Sequence, residues 1–341
     1  MTANVPGLAS PLLVVDGLVK RFAASHDLLG RVRGRVSAVE DVSFGLARGE
    51  TLAIVGESGS GKSTLARLLV RLTPATAGRI TFDGIDVTAA KGKDSLALHQ
   101  RIQIVFQDPY ASLDPRFSVG RLVGEGLFHS HMDRASRRVR TIDLLEQVGL
   151  SASLIDNLPH QLSGGQRQRV GIARALAAEP DLLIADEPVS ALDGSIQGQV
   201  LNVLRALRAD RTLAMVFITH DLSVARYMAD RIAVMHLGKL VETAPTEQLF
   251  ARPAHPYTQA LLSAIPRFGR GGGARTILPG DAPSPIDPPP GCRFAGRCAW
   301  RTDLCDRVDP ALLPEVSPEH SVACHHWRSI DVDAVAAAQS A

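Results

Sequence analysis

No run of about 18 uncharged apolar residues occurs in the 341 residues, so no membrane span is expected. Met1–Ser10 lacks a basic stretch followed by an apolar one, so no secretory leader is expected either. Nor does charge of one sign dominate: 37 Lys and Arg stand against 35 Asp and Glu, a net charge of +2. So small an excess lacks the basic footprint of a nucleic-acid binder, and no nucleic-acid partner is expected. There is no internal repeat and no sustained heptad pattern, which argues against a solenoid or a long coiled coil. Cysteine is scarce, with four in all, at Cys292, Cys298, Cys305 and Cys324. The chain is expected to stay in the cytoplasm, where such clustering points to a metal site rather than to disulfides. What remains is 45% hydrophobic and 21% charged, an ordinary folded composition. The length suits one large domain with a small appendage.

Apolar and polar residues alternate over 12–22 and 36–47, which predicts two antiparallel strands joined by a loop at Gly30–Gly34 carrying Arg31, Arg33 and Arg35. Thr51–Val55, Ile102–Phe106, Leu182–Ala185, Leu213–Thr219 and Arg231–Met235 are short apolar runs of the buried-strand type. Helical stretches lie between them, at Ser63–Leu72 and over a polar insertion from Val119 to about Ser153. Alternating strand and helix implies a parallel sheet covered on both faces. Helical signals at Glu247–Phe250 and Tyr257–Ile265 close this α/β domain. Phe268–Gly291, with its Gly271–Gly273 and Pro288–Pro290 runs, reads as a linker or extended wrap, and Val332–Ala341 as a frayed end.

Three motifs carry chemistry. Gly56-Glu57-Ser58-Gly59-Ser60-Gly61-Lys62-Ser63-Thr64 is a complete phosphate loop between a strand and a helix. Its glycines let backbone N–H groups close round phosphates, Lys62 supplies charge at the β/γ-phosphates, and the Ser63 hydroxyl suits Mg²⁺. Leu182–Ala185 runs into Asp186 and Glu187. Asp186 suits Mg²⁺ coordination through water, and Glu187 can act on a water in line with the γ-phosphate. Gln107, after Ile102–Phe106, offers an amide to Mg²⁺ or to the attacking water. Between these lies Leu162-Ser163-Gly164-Gly165-Gln166. A serine and two glycines opening a helix present N–H groups and a positive dipole end to a phosphate. A chain with its own phosphate loop has no need of a second such site for the same nucleotide. The motif is therefore expected to serve a partner's ATP, which makes the working unit a dimer.

The order of these motifs resembles that of ATP-binding cassette (ABC) ATPases over about residues 10–265. The resemblance implies a P-loop NTPase fold with a RecA-like core, an antiparallel β-subdomain and a helical subdomain at about 115–160. It also implies that His220 contacts the γ-phosphate and positions Glu187 and water, and that Ser190–Asp193 crosses a dimer interface with Asp193 at the nucleotide. Phe22 is a candidate to stack on adenine, with a place in the core as the alternative. A narrower resemblance is to the ATP-binding subunits of oligopeptide and dipeptide permeases. It rests on Phe106–Arg116, His255–Leu262, Gly291–Cys298 and Val322–His325. It divides the chain into a nucleotide-binding domain (1–265), a linker (266–291) and a four-cysteine extension (292–330). The implied partners are a second ATPase subunit, two membrane permease subunits and, indirectly, an extracytoplasmic solute-binding protein, which places the chain on the cytoplasmic face of the membrane. The cysteine spacing C-x5-C-x6-C-x18-C lacks the C-x2-C pairs of common zinc sites. Similar tails in this permease family are associated with a [4Fe–4S] cluster. Zinc, with His320, His325 or His326 as substitute ligands, and unligated thiols are the alternatives. Arg293, Arg297 and Arg301 interleave with these cysteines and could stabilise an anionic cluster. Two other functions are open: a soluble ABC ATPase outside transport, and a metal- or redox-sensing ATPase.

Overall fold

The computed structural model describes residues 11–26, 32–128, 132–210, 213–265, 284–286 and 288–330. In chain order its strands are β1 (Leu13–His26), β2 (Val32–Leu46), β3 (Thr51–Val55), β4 (Ala77–Phe82), β5 (Ile85–Asp86), β6 (Ile102–Val105), β7 (Leu182–Asp186), β8 (Ala214–Thr219), β9 (Arg231–His236), β10 (Lys239–Pro245), β11 (Leu313–Ser317) and β12 (His320–Val322). The helices are α1 (Lys62–Leu69), α2 (Gly92–Arg101), α3 (Pro109–Ser112), α4 (Val119–Gly124), α5 (Arg134–Gln147), α6 (Gly164–Ala177), α7 (Gly194–Asp210), α8 (Leu222–Met228), α9 (Thr246–Ala251), α10 (Pro256–Ser263) and α11 (Asp303–Arg307). The described residues fall into two compact units, one within 1–46, 52–88 and 219–341, the other within 47–51 and 89–218.

In the first unit β1 lies between β2 and β4, antiparallel to both. Its inward residues Leu13, Val15 and Leu18 are fully buried, and the alternation slips after Val15, where the register shifts. The same unit carries the order β11-β12-β10-β9-β3, in which only the β3–β9 pair is parallel. Ala53, Val55, Ile232 and Val234 from that pair form a core with Leu222, Leu249, Tyr257 and Phe294. In the second unit β8, β7 and β6 are parallel neighbours. β7 and β8 are buried at every position, the pattern of strands covered on both faces. Helices α4, α5 and α6 pack together, with α6 against β6.

Several sequence expectations are corrected. β2 begins at Val32, so most of the expected Gly30–Gly34 loop is strand. α1 stops at Leu69, three residues short of the expected Leu72, because Arg71 takes a left-handed conformation at φ 58°. β4, β5, β10, β11 and β12 carry no strong periodicity and were not expected; β4 and β5 extend the antiparallel β1–β2 pair, while β10, β11 and β12 add antiparallel neighbours to the sheet expected to be parallel. Within 266–291 only 284–286 and 288–291 are described, and there Ile286 bridges Val36 while the Pro285 carbonyl accepts from Ser37 N–H at 3.1 Å. The rest of that expected linker, and the expected frayed end, lie outside the described residues. No helix among the described residues is long and apolar enough to cross a membrane.

Candidate nucleotide site

The phosphate loop belongs to the first unit, as do Phe22 and His220. β3, buried throughout, runs straight into it, and α1 leaves it. At Gly61 the backbone is left-handed, φ 104°, and a Cβ would lie 2.1 Å from the Ala38 carbonyl oxygen. Only glycine fits such a turn. Lys62 is buried, and its Nζ donates to the carbonyls of Gly56 at 2.7 Å and Glu57 at 2.8 Å, and to Ser60 Oγ at 3.4 Å. The ammonium is thereby held inside the curve of the loop. Ser63 and Thr64 are half-buried at the start of α1, while Ser58 and Gly59 are exposed. Phe22 is 41% exposed on β1, with Lys20 Nζ 4.8 Å from its ring centroid, so the ring is available for stacking and is not core. His220 is exposed immediately after β8.

Glu57 is held from behind the loop by residues far along the chain. Its N–H donates to Tyr257 Oη at 2.9 Å, and its carboxylate takes two bonds from Arg297, at 2.8 and 3.2 Å. Tyr257 packs in turn on His236, with centroids 4.5 Å apart, and on Phe294 at 5.4 Å. Burial pushes the imidazoles of His236 and His255 down to about 4 and about 3, and pushes the Tyr257 phenol up. The sequence reading missed His236 and did not attach Tyr257 or Arg297 to the loop. No local signal joins position 57 to positions 236, 257 and 297.

The second unit holds Gln107, Asp186, Glu187, Asp193 and the Ser163–Gln166 motif. Asp186 ends β7 and is buried. Glu187 follows at φ 46°, left-handed for a side chain that pays for it in strain of order 1–3 kcal/mol. Its N–H donates to the Ile218 carbonyl at 3.0 Å, and its carbonyl accepts from Ser190 Oγ at 3.1 Å. These bonds fix the backbone and leave the side chain half-buried, where its Oε2 accepts from Gln107 Nε2 at 3.2 Å. Two site residues 80 positions apart are thus brought together.

Ser163 caps α6 reciprocally. Its Oγ accepts from Gln166 N–H at 3.3 Å, and Gln166 Oε1 accepts from Ser163 N–H at 2.9 Å. Gly165 is buried, and a Cβ there would meet Ile196 of α7 at 2.3 Å, so glycine lets the two helices approach. The capping box orients the N-terminus of a 14-residue helix, whose dipole end favours an anion. Asp193, exposed, precedes α7 and accepts on its carbonyl from Ile196 and Gln197, each at 2.9 Å.

The four cysteines are unpaired as disulfides. Burial, with one another's charge as a smaller cause, pushes Cys292 up to about 11 and Cys324 up to about 12, and raises Cys298. The Cys324 thiol accepts the His326 backbone N–H at 3.4 Å. That donor chemistry suits a soft metal. The placement does not: among the described residues no group of three or more His, Cys, Asp or Glu is arranged to hold a metal ion. His320, a substitute zinc ligand in the sequence reading, is instead bonded to Glu242 at 2.7 Å, and His326 Nε2 to Thr302 at 2.8 Å. Arg297 and Arg301 are paired with Glu57 and Asp306, so neither guanidinium is given over to a cluster.

A buried strand entering a phosphate loop, a second buried strand ending in paired carboxylates, and a capped Ser-Gly-Gly-Gln helix start define the class: an ATP-binding cassette ATPase. Residues 39–190 match the ABC transporter family, and residues 241–305 match the oligopeptide/dipeptide transporter C-terminal region. An ATP-binding protein of Brucella ovis is 48% identical over 317 residues, covering 92% of this chain and 98% of that one. The oligopeptide transport ATP-binding protein AppF of Bacillus subtilis is 45% identical over 319 residues, 92% of this chain and 97% of its own. The ATP-binding cassette MJ0796, solved as a dimer in a post-hydrolysis state with ADP and Pi, superposes with a TM-score of 0.62 at 28% identity, covering 69% of this chain and 98% of that one. The chain belongs to the ABC transporter ATP-binding family, in the branch with the oligopeptide/dipeptide transporter C-terminal region.

Proposed function

We propose that this ATPase energises import of peptides, or of a related small solute, through a membrane permease. The peptide assignment is supported by the matched C-terminal region and by relatives named for oligopeptide and dipeptide transport. The chain acts at the cytoplasmic face of the membrane, with two permease subunits, a second ATPase subunit and, indirectly, an extracytoplasmic solute-binding protein. Its nucleotide-binding domain is residues 1–265, with a helical subdomain near 115–160 that grips the permease. Residues 266–291 link it to the 292–330 extension.

The observation that carries the catalytic reading is Glu187, strained at the end of β7 with the Gln107 amide on its carboxylate. Lys62 and the N–H groups of Gly56–Thr64 bind the β- and γ-phosphates, and Phe22 stacks on the adenine. Glu187 orients the attacking water and takes its proton, and His220 holds water and γ-phosphate in line. Gln107 registers whether the site is filled. Ser63 and Asp186 are oxygen donors that suit Mg²⁺, which when bound neutralises charge on the β/γ-phosphates. Ser163–Gln166 and Asp193 serve the nucleotide of the partner ATPase.

Glu187→Gln keeps size and hydrogen bonding but removes the base. It is expected to lower ATP turnover at least about a hundredfold while ATP still binds. Turnover at the parent rate would refute the assignment. A metal at the four thiols, whether [4Fe–4S] or zinc, is a finer reading that rests on donor chemistry alone. Iron, sulfide and zinc content of anaerobically purified protein decides it.

A further inference from the structure

Glu57 stands inside a loop whose task is to bind a polyanion, and a carboxylate there opposes that task. The structure answers this charge from one place. Arg297, in the segment between Cys292 and Cys298, forks onto both carboxylate oxygens at 2.8 and 3.2 Å. The Arg297 side chain is only 10% exposed and that of Glu57 32%, so solvent screens the pair weakly. Glu57 is fixed at two further points, by its N–H on Tyr257 Oη at 2.9 Å and by its carbonyl under Lys62 Nζ at 2.8 Å. Tyr257 is itself locked against Phe294, three residues before Arg297. The segment is anchored on the same side, since Arg293 bonds to the Leu237 carbonyl and to Ser37 Oγ. A turn of the C-terminal extension thus grips the second residue of the phosphate loop by its charge and braces the tyrosine that holds its backbone.

We infer that Arg297 is a positioning residue of the phosphate loop: by neutralising and orienting Glu57, it makes ATP affinity at this loop depend on the docked C-terminal extension. The inference rests on the reading of Gly56–Thr64 as the ATP site. Loss of Arg297 leaves an unpaired carboxylate beside the phosphates and releases one of the three holds on Glu57. The effect is expected on binding, because the bonds of the Arg297 guanidinium go to Glu57 of the phosphate loop.

The test is equilibrium binding of a fluorescent ATP analogue to the full-length chain, with steady-state turnover alongside. Arg297→Met is expected to weaken binding about tenfold and raise KM similarly, with kcat within about twofold of the parent. Arg297→Lys, which keeps the charge but loses the fork, falls between. In an E57Q background, where there is no carboxylate to neutralise, R297M changes affinity by less than about twofold. If R297M does not fold, R297K measured in the parent and E57Q backgrounds makes the same comparison. Parent-like binding by the Arg297 variants overturns the inference, and so does an equal loss in both backgrounds, which is what a merely structural role would give. If the parent chain itself binds no ATP, the phosphate-loop reading falls with it. If the parent binds and only the Arg297 effect is missing, that reading stands and this inference alone is refuted.

Discussion

At the scale of single residues, burial outweighs sequence pattern. His236 and His255 look like ordinary titratable side chains in the sequence, yet the core packed around Phe294 keeps both neutral. Their ordinary value lies near 6.5. In the folded chain they are held at about 4 and about 3. The unfolded chain therefore binds more protons as pH falls through this range. The stability from keeping these rings neutral is complete above about pH 6.5 and is lost as pH falls toward about 4. Other groups titrate there too, so the informative quantity is a difference. His236→Phe keeps an aromatic ring and removes one titrating group, so its urea midpoint should fall less steeply between pH 6.5 and 4.5 than the parent's. Equal slopes would mean that His236 takes up its proton alike in the folded and unfolded chain, and so is not held neutral by the core. Glu187 teaches a related lesson. Its place after an apolar run was legible, but its left-handed backbone was not, since nothing in Ala185-Asp186-Glu187-Pro188 signals positive φ.

At the scale of elements, reading succeeded where the chemistry is local. Thr51–Val55 and Leu182–Asp186 declare themselves as continuous apolar runs, and the helix start at Ser163 was legible, while its reciprocal cap with Gln166 came from the structure. β10 escaped because Lys239–Pro245 mixes Lys, Glu and Thr with apolar residues. The structure explains Glu242, which is fully buried. Its carboxylate accepts from Ala254 N–H at 2.7 Å, His255 N–H at 2.9 Å and His320 Nε2 at 2.7 Å. One side chain thereby ties β10 to the start of α10 and to β12. Glu242→Ala would strand all three donors in the core and is expected to cost about 3–5 kcal/mol. Urea unfolding of the full chain measures it, and a loss below about 1 kcal/mol would show that the triad is not holding these elements together.

At the scale of the whole molecule, the class and its motifs could be read because they lie within short windows: residues 56–64, 162–166 and 182–187. The docking of the extension could not, because it depends on contacts such as Glu57 with Arg297, 240 positions apart. The paired working unit also belongs to this scale. If Ser163–Gln166 serves a partner's nucleotide, the hydrolysis-blocked Glu187→Gln chain should form pairs when ATP is added, seen as a doubled mass by light scattering. An unchanged mass, with ATP shown to be bound, would mean that this chain pairs with a different ATPase subunit or not at all. The outermost strand has a bearing on such pairing. β11 ends the order β11-β12-β10-β9-β3, and Leu313, Pro314 and Glu315 on it are exposed. A proline has no N–H to offer a neighbouring strand, and a charge beside it discourages stacking. The C-terminal extension therefore also works as a selvedge. It finishes the sheet with a margin that has one N–H fewer to offer a passing strand.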